Sequence, residues 1–214
     1  MPPWCERCGQ PEPLFGACRI CATWPAALRC ARSAVWLDAA ARRAVHALKY
    51  GGLPRIATDL AAALARVSLA VGTRGGGEGS PVLVPVPLSA ARLRARGYNQ
   101  SERLARALAR CWGWPVAEVL VRTRETATQT ALTPVARLAN VAGAFSVRSV
   151  KCEMRNGVKD VDSAFPISHF TLVLVDDVFT TGATIAAAAQ ALESAGARDI
   201  MAITFGRAVI PDFT

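Results

Sequence analysis

One stretch of thirteen residues, 172–184, constrains this chain more than any other: Leu-Val-Leu-Val-Asp-Asp-Val-Phe-Thr-Thr-Gly-Ala-Thr. Its four branched apolar residues predict a short buried strand, too short and too rich in β-branching for a helix. Asp176 and Asp177 stand where that strand should end. A small-residue turn follows, Thr180-Thr181-Gly182-Ala183-Thr184, and then an alanine-rich helix over about 185–195 that stops at Gly196. A strand feeding a Gly/Thr turn and a helix start makes an anion site. Unpaired backbone N–H groups and the positive end of the helix dipole converge there, and threonine hydroxyls add donors. Carboxylates just before such a turn would repel a lone phosphate. They suit a ligand that also carries hydroxyls or a divalent cation, so the pattern points to a sugar phosphate. The plainer alternative is an ordinary strand–turn–helix unit with acids at its mouth. A Walker A loop is excluded, because no Gly-Lys-Ser/Thr lies in the turn.

This arrangement resembles the PRPP-binding signature of type I phosphoribosyltransferases, an acid pair between a hydrophobic strand and a Thr-Thr-Gly-x-Thr turn. The resemblance implies that Asp176 and Asp177 hold the ribose hydroxyls of PRPP, with Mg²⁺ accompanying the ligand. It implies that Thr180, Thr181, Gly182, Ala183 and Thr184 cradle the 5′-phosphate.

The length of 214 residues suits one α/β domain with a small appendage. No run of eighteen uncharged apolar residues is present, and the first residues do not read as a signal peptide, so a soluble cytoplasmic protein is expected. The formal charge of +9 suits an anionic partner, nucleic acid or a small polyphosphate. Only two histidines are present, which argues against chemistry built on histidine acid/base groups.

Cys5-x-x-Cys8 and Cys18-x-x-Cys21 form two knuckles near the N-terminus. Paired knuckles place four thiolates at the corners of a tetrahedron, which points to a structural Zn²⁺ site; disulfides or free thiols are the alternatives. Cys30 reads as a spare ligand or a buried thiol. Further on, residues 38–50 read as a helix capped by Asp38 and stopped by Gly51, and a second helix is expected over 55–71. Lys49, ahead of two glycines, either reaches a phosphate or simply complements the helix dipole.

Residues 81–87 predict a buried strand ended by prolines, whose carboxyl end should border a ligand site. Arg92, Arg94 and Arg96 follow at alternate positions, and Ser101 is the expected cap of the next helix. From Arg92 to Arg110 six arginines face one acid, Glu102, a plausible surface for pyrophosphate or nucleic acid. A strand is expected over 116–121, then a polar loop holding Arg122 and Arg124, and a helix from Thr133-Pro134 that carries Arg137 and Asn140. Residues 151–168 show no pattern and read as an insertion before the central strand. A final strand is expected over 200–205.

Taken together, four blocks resemble the ComF competence-protein family. They are the knuckles Cys5/Cys8/Cys18/Cys21; Val84-Pro85-Val86-Pro87 with Arg96-Gly97-Tyr98-Asn99-Gln100; Gln129-Thr130 with Arg137, Asn140 and Gly143-Ala144-Phe145; and the 176–184 loop. Lys49-Tyr50-Gly51 is a fifth, weaker match. The resemblance implies an α/β type I phosphoribosyltransferase fold, a mostly parallel sheet flanked by helices, with a small N-terminal zinc module. The expected division is a four-cysteine module over 1–30, a helical connecting region over 31–80 and a phosphoribosyltransferase-like domain over 81–214. It further implies a part in natural transformation, with a mobile hood over pyrophosphate formed by the block that holds Arg122, Arg124 and Arg137, and with Arg96 and Lys49 nearby. Two functions follow from it. One is transfer of phosphoribose from PRPP to an acceptor; the other is an inactive transferase-fold module that binds single-stranded DNA or a DNA-uptake helicase.

Overall fold

The computed structural model describes residues 4–11, 18–51, 53, 55–69, 81–124, 141, 143–148, 152–154, 157–159 and 167–208. The strands are β1 (Leu28–Trp36), β2 (Val82–Pro85), β3 (Val116–Ala117), β4 (Leu120–Arg122), β5 (Phe145–Val147), β6 (Cys152–Met154), β7 (Gly157–Lys159), β8 (Thr171–Phe179) and β9 (Asp199–Arg207). The helices are α1 (Ala39–Tyr50), α2 (Ile56–Leu64), α3 (Ala90–Arg96), α4 (Gln100–Trp112) and α5 (Ala183–Ser194). A seven-stranded sheet runs β1-β9-β8-β2-β3-β6-β7. The pairs from β1 to β3 are parallel, and β6 and β7 add antiparallel. This is the expected α/β architecture.

Both faces of the sheet are covered, which is why β8 and β9 read as continuous apolar runs. Leu172 and Leu174 of β8, with Ile200 and Ala202 of β9, face α5 and the cysteine segment. Val173 and Val175, with Met201 and Ile203, face α1, α2 and α4. The alanines of α5 (Ala186, Ala188, Ala189) are buried, and their small side chains let that helix lie close to the sheet.

Chain order explains where a ligand can sit. From β2 the chain proceeds outward to β3, while from β8 it proceeds the other way to β9. The carboxyl ends of β2 and β8 therefore flank a topological switch point, the crevice that open parallel sheets use for ligands. Register places Pro85 opposite Val175, so Asp176 is the first β8 residue beyond the end of β2.

Several expectations change. The strand expected over 116–121 is two strands: β3 joins the main sheet, while β4 pairs antiparallel with β5 in a separate two-stranded sheet. The break falls at Glu118 and Val119, between the two strands, and the Glu118 carboxylate pairs with Arg106 and Arg148. Residues 152–154 and 157–159 extend the main sheet as a hairpin, where only an insertion was expected. Arg92, Arg94 and Arg96, for which no element was predicted, lie on α3, capped by Ser89. The second helix ends at Leu64, short of residue 71. β1 was not foreseen at all, and it pairs along most of its length with β9. The 129–140 block, with Gln129, Thr130, Arg137 and Asn140, lies outside the described residues.

Candidate functional site

A cavity of about 900 Å³ opens at the switch point. Its floor holds Asp176 and Asp177, and Thr180 and Thr184 form one wall. Val86 and Pro87 continue from β2, and Arg92, Arg96, Arg122 and Lys49 bring positive charge from α3, β4 and α1. On a helix, residues 92 and 96 are one turn apart and share a face, whereas residue 94 points elsewhere. Arg94 accordingly stays exposed and does not line the cavity. Arg124 is exposed beyond the end of β4 and does not line it either.

Asp176 is only 8% exposed. Its Oδ1 accepts from the Ser101 hydroxyl at 2.8 Å and from the Asp177 backbone N–H at 2.9 Å. Burial, followed by the neighbouring Asp177 charge, pushes its carboxyl up from 3.8 to about 7. Asp177 Oδ2 has no well-aligned hydrogen bond among the described residues, and its partner is the Lys49 ammonium at 2.5 Å. Lys49 thus does more than complement the α1 dipole: it pairs with Asp177, and its charge partly offsets that of the acid pair. The Arg96 guanidinium lies 5.0 Å from the Tyr50 ring centroid and donates to Gln100 Oε1 at 2.5 Å, so it is held at the cavity wall. Arg122 stacks 5.3 Å from the Phe145 centroid, and burial with the nearby Arg92 charge lowers its pKa.

Ser101 was expected to cap α4. Asn99 caps it instead, accepting from Ser101 N–H at 3.1 Å while its amide donates to Val86 O at 3.1 Å. That frees the Ser101 hydroxyl for Asp176. Beyond the acids, the turn folds tightly: Thr181 Oγ1 accepts from Ala183 N–H at 3.4 Å. Gly182 takes φ +74, and a Cβ there would lie 2.7 Å from Phe179 Cζ and 3.2 Å from Trp24 Cζ2. Both the conformation and the space demand glycine. The turn thus brings Thr180 and Thr184 to the cavity, with Thr181, Gly182 and Ala183 buried behind them.

Away from the cavity, the sulfurs of Cys5, Cys8, Cys18 and Cys21 lie within 4.8 Å of one another. Two pairs, Cys5–Cys21 and Cys8–Cys18, stand at 3.6 and 3.4 Å, beyond disulfide bonding. A tetrahedral site with Zn–S bonds of about 2.3 Å has sulfur–sulfur edges of about 3.8 Å, so the four can hold a metal ion and their spacing is compatible with zinc. Arg7, inside the first knuckle, donates to the carbonyls of Cys21, Pro25 and Leu28 and so ties the second knuckle to the start of β1. Burial pushes the Cys8 thiol up and the Cys21 thiol up to about 12, so metal uptake must release protons. Cys30 is not part of this group; it lies half-buried in β1 on the opposite core.

No family model matches the chain. It is 34% identical over 158 residues, 73% of its length, to the DNA utilization protein YhgH of Salmonella typhimurium. It is 33% identical over 127 residues, 59% of its length, to competence protein F of Haemophilus influenzae, half of which is covered. It is 26% identical over 202 residues, 90% of its length, to competence protein ComFC of Bacillus subtilis, of which 72% is covered. These similarities support assignment of the chain to the ComF family. It spans 62% of the length of the Salmonella relative.

In this chain the fold gathers most of the residues singled out from sequence. Asp176, Asp177, Thr180, Thr184, Arg96, Arg122 and Lys49 share one cavity, although they come from four separate segments. Sequence reasoning missed the partners behind them. Ser101 looked like a cap, Trp24 and Arg207 carried no motif, and Phe179 stood inside the 172–184 stretch without a role assigned to it. A Ser following Asn at a helix start signals that one of the two is spare, and that clue was available.

Proposed function

We propose that this chain binds PRPP with Mg²⁺ in the switch-point cavity and works in DNA uptake. The 5′-phosphate sits on the turn formed by residues 180–184, and the ribose hydroxyls bond to Asp176 and Asp177. Pyrophosphate lies toward Arg96, Arg122 and Lys49, with Arg124 and Arg137 in the covering hood. Zn²⁺ occupies the four cysteines as a structural ion. The observation that carries the reading is the buried acid pair set beside Thr180 and Thr184 in one cavity with the basic side chains of Lys49, Arg92, Arg96 and Arg122. An acid pair alone would favour a bare metal, and cations alone a bare anion. Only a ligand that is anionic at both ends and hydroxylated between them uses all three groups. The names of the relatives, competence protein and DNA utilization protein, support the role in DNA uptake.

If the bound PRPP reacts, an acceptor displaces pyrophosphate from ribose C1 through an oxocarbenium-like state. The arginines stabilise the departing charge, which fits a chain with only two histidines. A second reading, single-strand binding by the same chain, is favoured by one observation. Trp4 and Trp36 are 39% and 41% exposed, 5.6 Å apart between ring centroids, beside Arg32. Exposed rings next to arginine provide a stacking platform for bases.

Calorimetric titration separates these readings. PRPP is expected to bind only with Mg²⁺ and more tightly than ribose 5-phosphate or pyrophosphate alone, because each of those fills part of the cavity. Ribose 5-phosphate binding without any PRPP binding would overturn the proposal. Salt-sensitive oligonucleotide binding in its place would favour the second reading.

A further inference from the structure

Arg207, at the end of β9, is only 4% exposed, and neither Nη1 nor Nη2 has a hydrogen-bond partner among the described residues. A desolvated guanidinium with two unpartnered nitrogens is unfavourable, so a compensating charge nearby is needed. The first knuckle supplies it. A Cβ on Gly9 would sit 3.5 Å from Arg207 Nη2, and the cysteines whose charge acts on this arginine are Cys8, Cys5 and Cys18. Four thiolates around a divalent cation keep a net negative charge, which a metal-free, protonated cluster lacks. Among the described residues the other cation acting on Arg207 is Arg32, and it repels. The buried arginine therefore fits the metal-loaded cluster as its counter-ion.

The same side chain also reaches the anion turn. Arg207 is the register partner of Phe179 across β8 and β9, and its guanidinium lies 4.2 Å from the Phe179 ring centroid. Phe179 in turn presses on the Gly182 position and meets Trp24 edge-on at 6.1 Å between centroids. Trp24 belongs to the cysteine segment, where the Arg7 guanidinium lies 5.7 Å from its ring centroid. Two contacts thus converge on one phenylalanine ring, one from the metal site through Arg207 and one through Trp24. That ring fixes where the backbone of the turn can lie.

We propose that the four-cysteine metal site and the turn at residues 180–184 are energetically coupled through Arg207, Phe179 and Trp24. Metal loading fixes Arg207 over Phe179 and so holds the turn in its anion-binding shape. This rests on the reading of that turn as the PRPP phosphate site. Arg207, Phe179 and Trp24 are positioning residues, since they act through the turn.

Coupling between sites is reciprocal, and this supplies the test. In the full zinc-loaded chain, zinc affinity is measured at equilibrium by competition with a chromogenic chelator, with and without saturating PRPP and Mg²⁺. PRPP is expected to tighten zinc binding by roughly 5-fold or more, within the usual range of coupling. Phe179→Leu keeps an apolar side chain but removes the ring; it should still bind both ligands, with the PRPP effect on zinc reduced to none. Arg207→Met should weaken zinc binding on its own. PRPP binding to the wild type with unchanged zinc affinity would overturn the coupling and leave the PRPP site standing. Absence of PRPP binding would sink both. A Phe179→Leu protein that keeps the full effect would also overturn the relay.

Discussion

Replacing Gly182 by alanine should lower the unfolding temperature by roughly 6–12 °C and remove sugar-phosphate binding. Two costs add. At φ +74 an L side chain occupies the left-handed region, which costs about 1–2 kcal/mol. The new methyl would also meet Phe179 Cζ at 2.7 Å, and that ring cannot retreat because Arg207 covers it at 4.2 Å from its centroid and Trp24 stands against it. Overpacking of this kind costs roughly a further 1–3 kcal/mol, giving a total on the order of 3 kcal/mol. Gly97→Ala is the matched control. Its φ is +82, yet nothing lies within 4 Å of the added Cβ, so it should carry the conformational cost alone. Thermal melts of both variants, with PRPP titration of each, decide the matter. Equal losses at the two glycines would show that the Phe179 contact is soft and that the turn is not held as described.

That contrast also marks what a sequence can and cannot disclose. The acid pair, the Thr turn and the cysteine knuckles were legible because each is a local pattern whose chemistry needs those residues at that spacing. The central strands β8 and β2 were legible because burial on both faces leaves unbroken apolar runs. β1 was hidden: Arg29 and Arg32 interrupt its apolar residues, and only the fold reveals Arg29 paired with Asp199 and Arg32 bonded to the carbonyl of Glu6. Ser101 was misread because capping is a local rule, whereas its bond to Asp176 spans 75 positions in the chain. The contact between Arg207 and Phe179 depends on the register of two neighbouring strands, which no composition or spacing specifies. The excess of arginines from Arg92 onward suggested a basic surface, without showing which of Arg92, Arg94 and Arg96 share a face. Helix α3 splits it, turning two toward the cavity and one to solvent.

Asp176→Asn should make the ligand-free protein more stable and a poorer binder, and the two effects should depend on pH. Burial and Asp177 raise the Asp176 carboxyl from 3.8 to about 7, so between those values the folded state binds a proton that the unfolded state has lost. Stability from this group is therefore fully present below about pH 4, declines as pH rises, and is gone above about pH 7. Asparagine carries no charge to desolvate, and its Oδ1 can still accept from Ser101 and from the Asp177 N–H. Each pH unit separating the folded and unfolded titrations is worth about 1.4 kcal/mol, so the variant should gain on the order of 2–4 kcal/mol at pH 8 and progressively less toward pH 4. Melts across that range are the measurement, and a variant no more stable than the wild type at pH 8 would refute the buried-charge account. Binding should move the opposite way. Ribose hydroxyls and Mg²⁺ both favour the ionised carboxylate, so wild-type affinity for PRPP should rise between about pH 6 and 8 as the proton leaves. Losing hydrogen bonds to a charged group costs roughly 1.5–3 kcal/mol, an affinity loss of about 10- to 100-fold in Asp176→Asn. A residue whose removal strengthens the fold while weakening binding is kept for its ligand rather than for its packing.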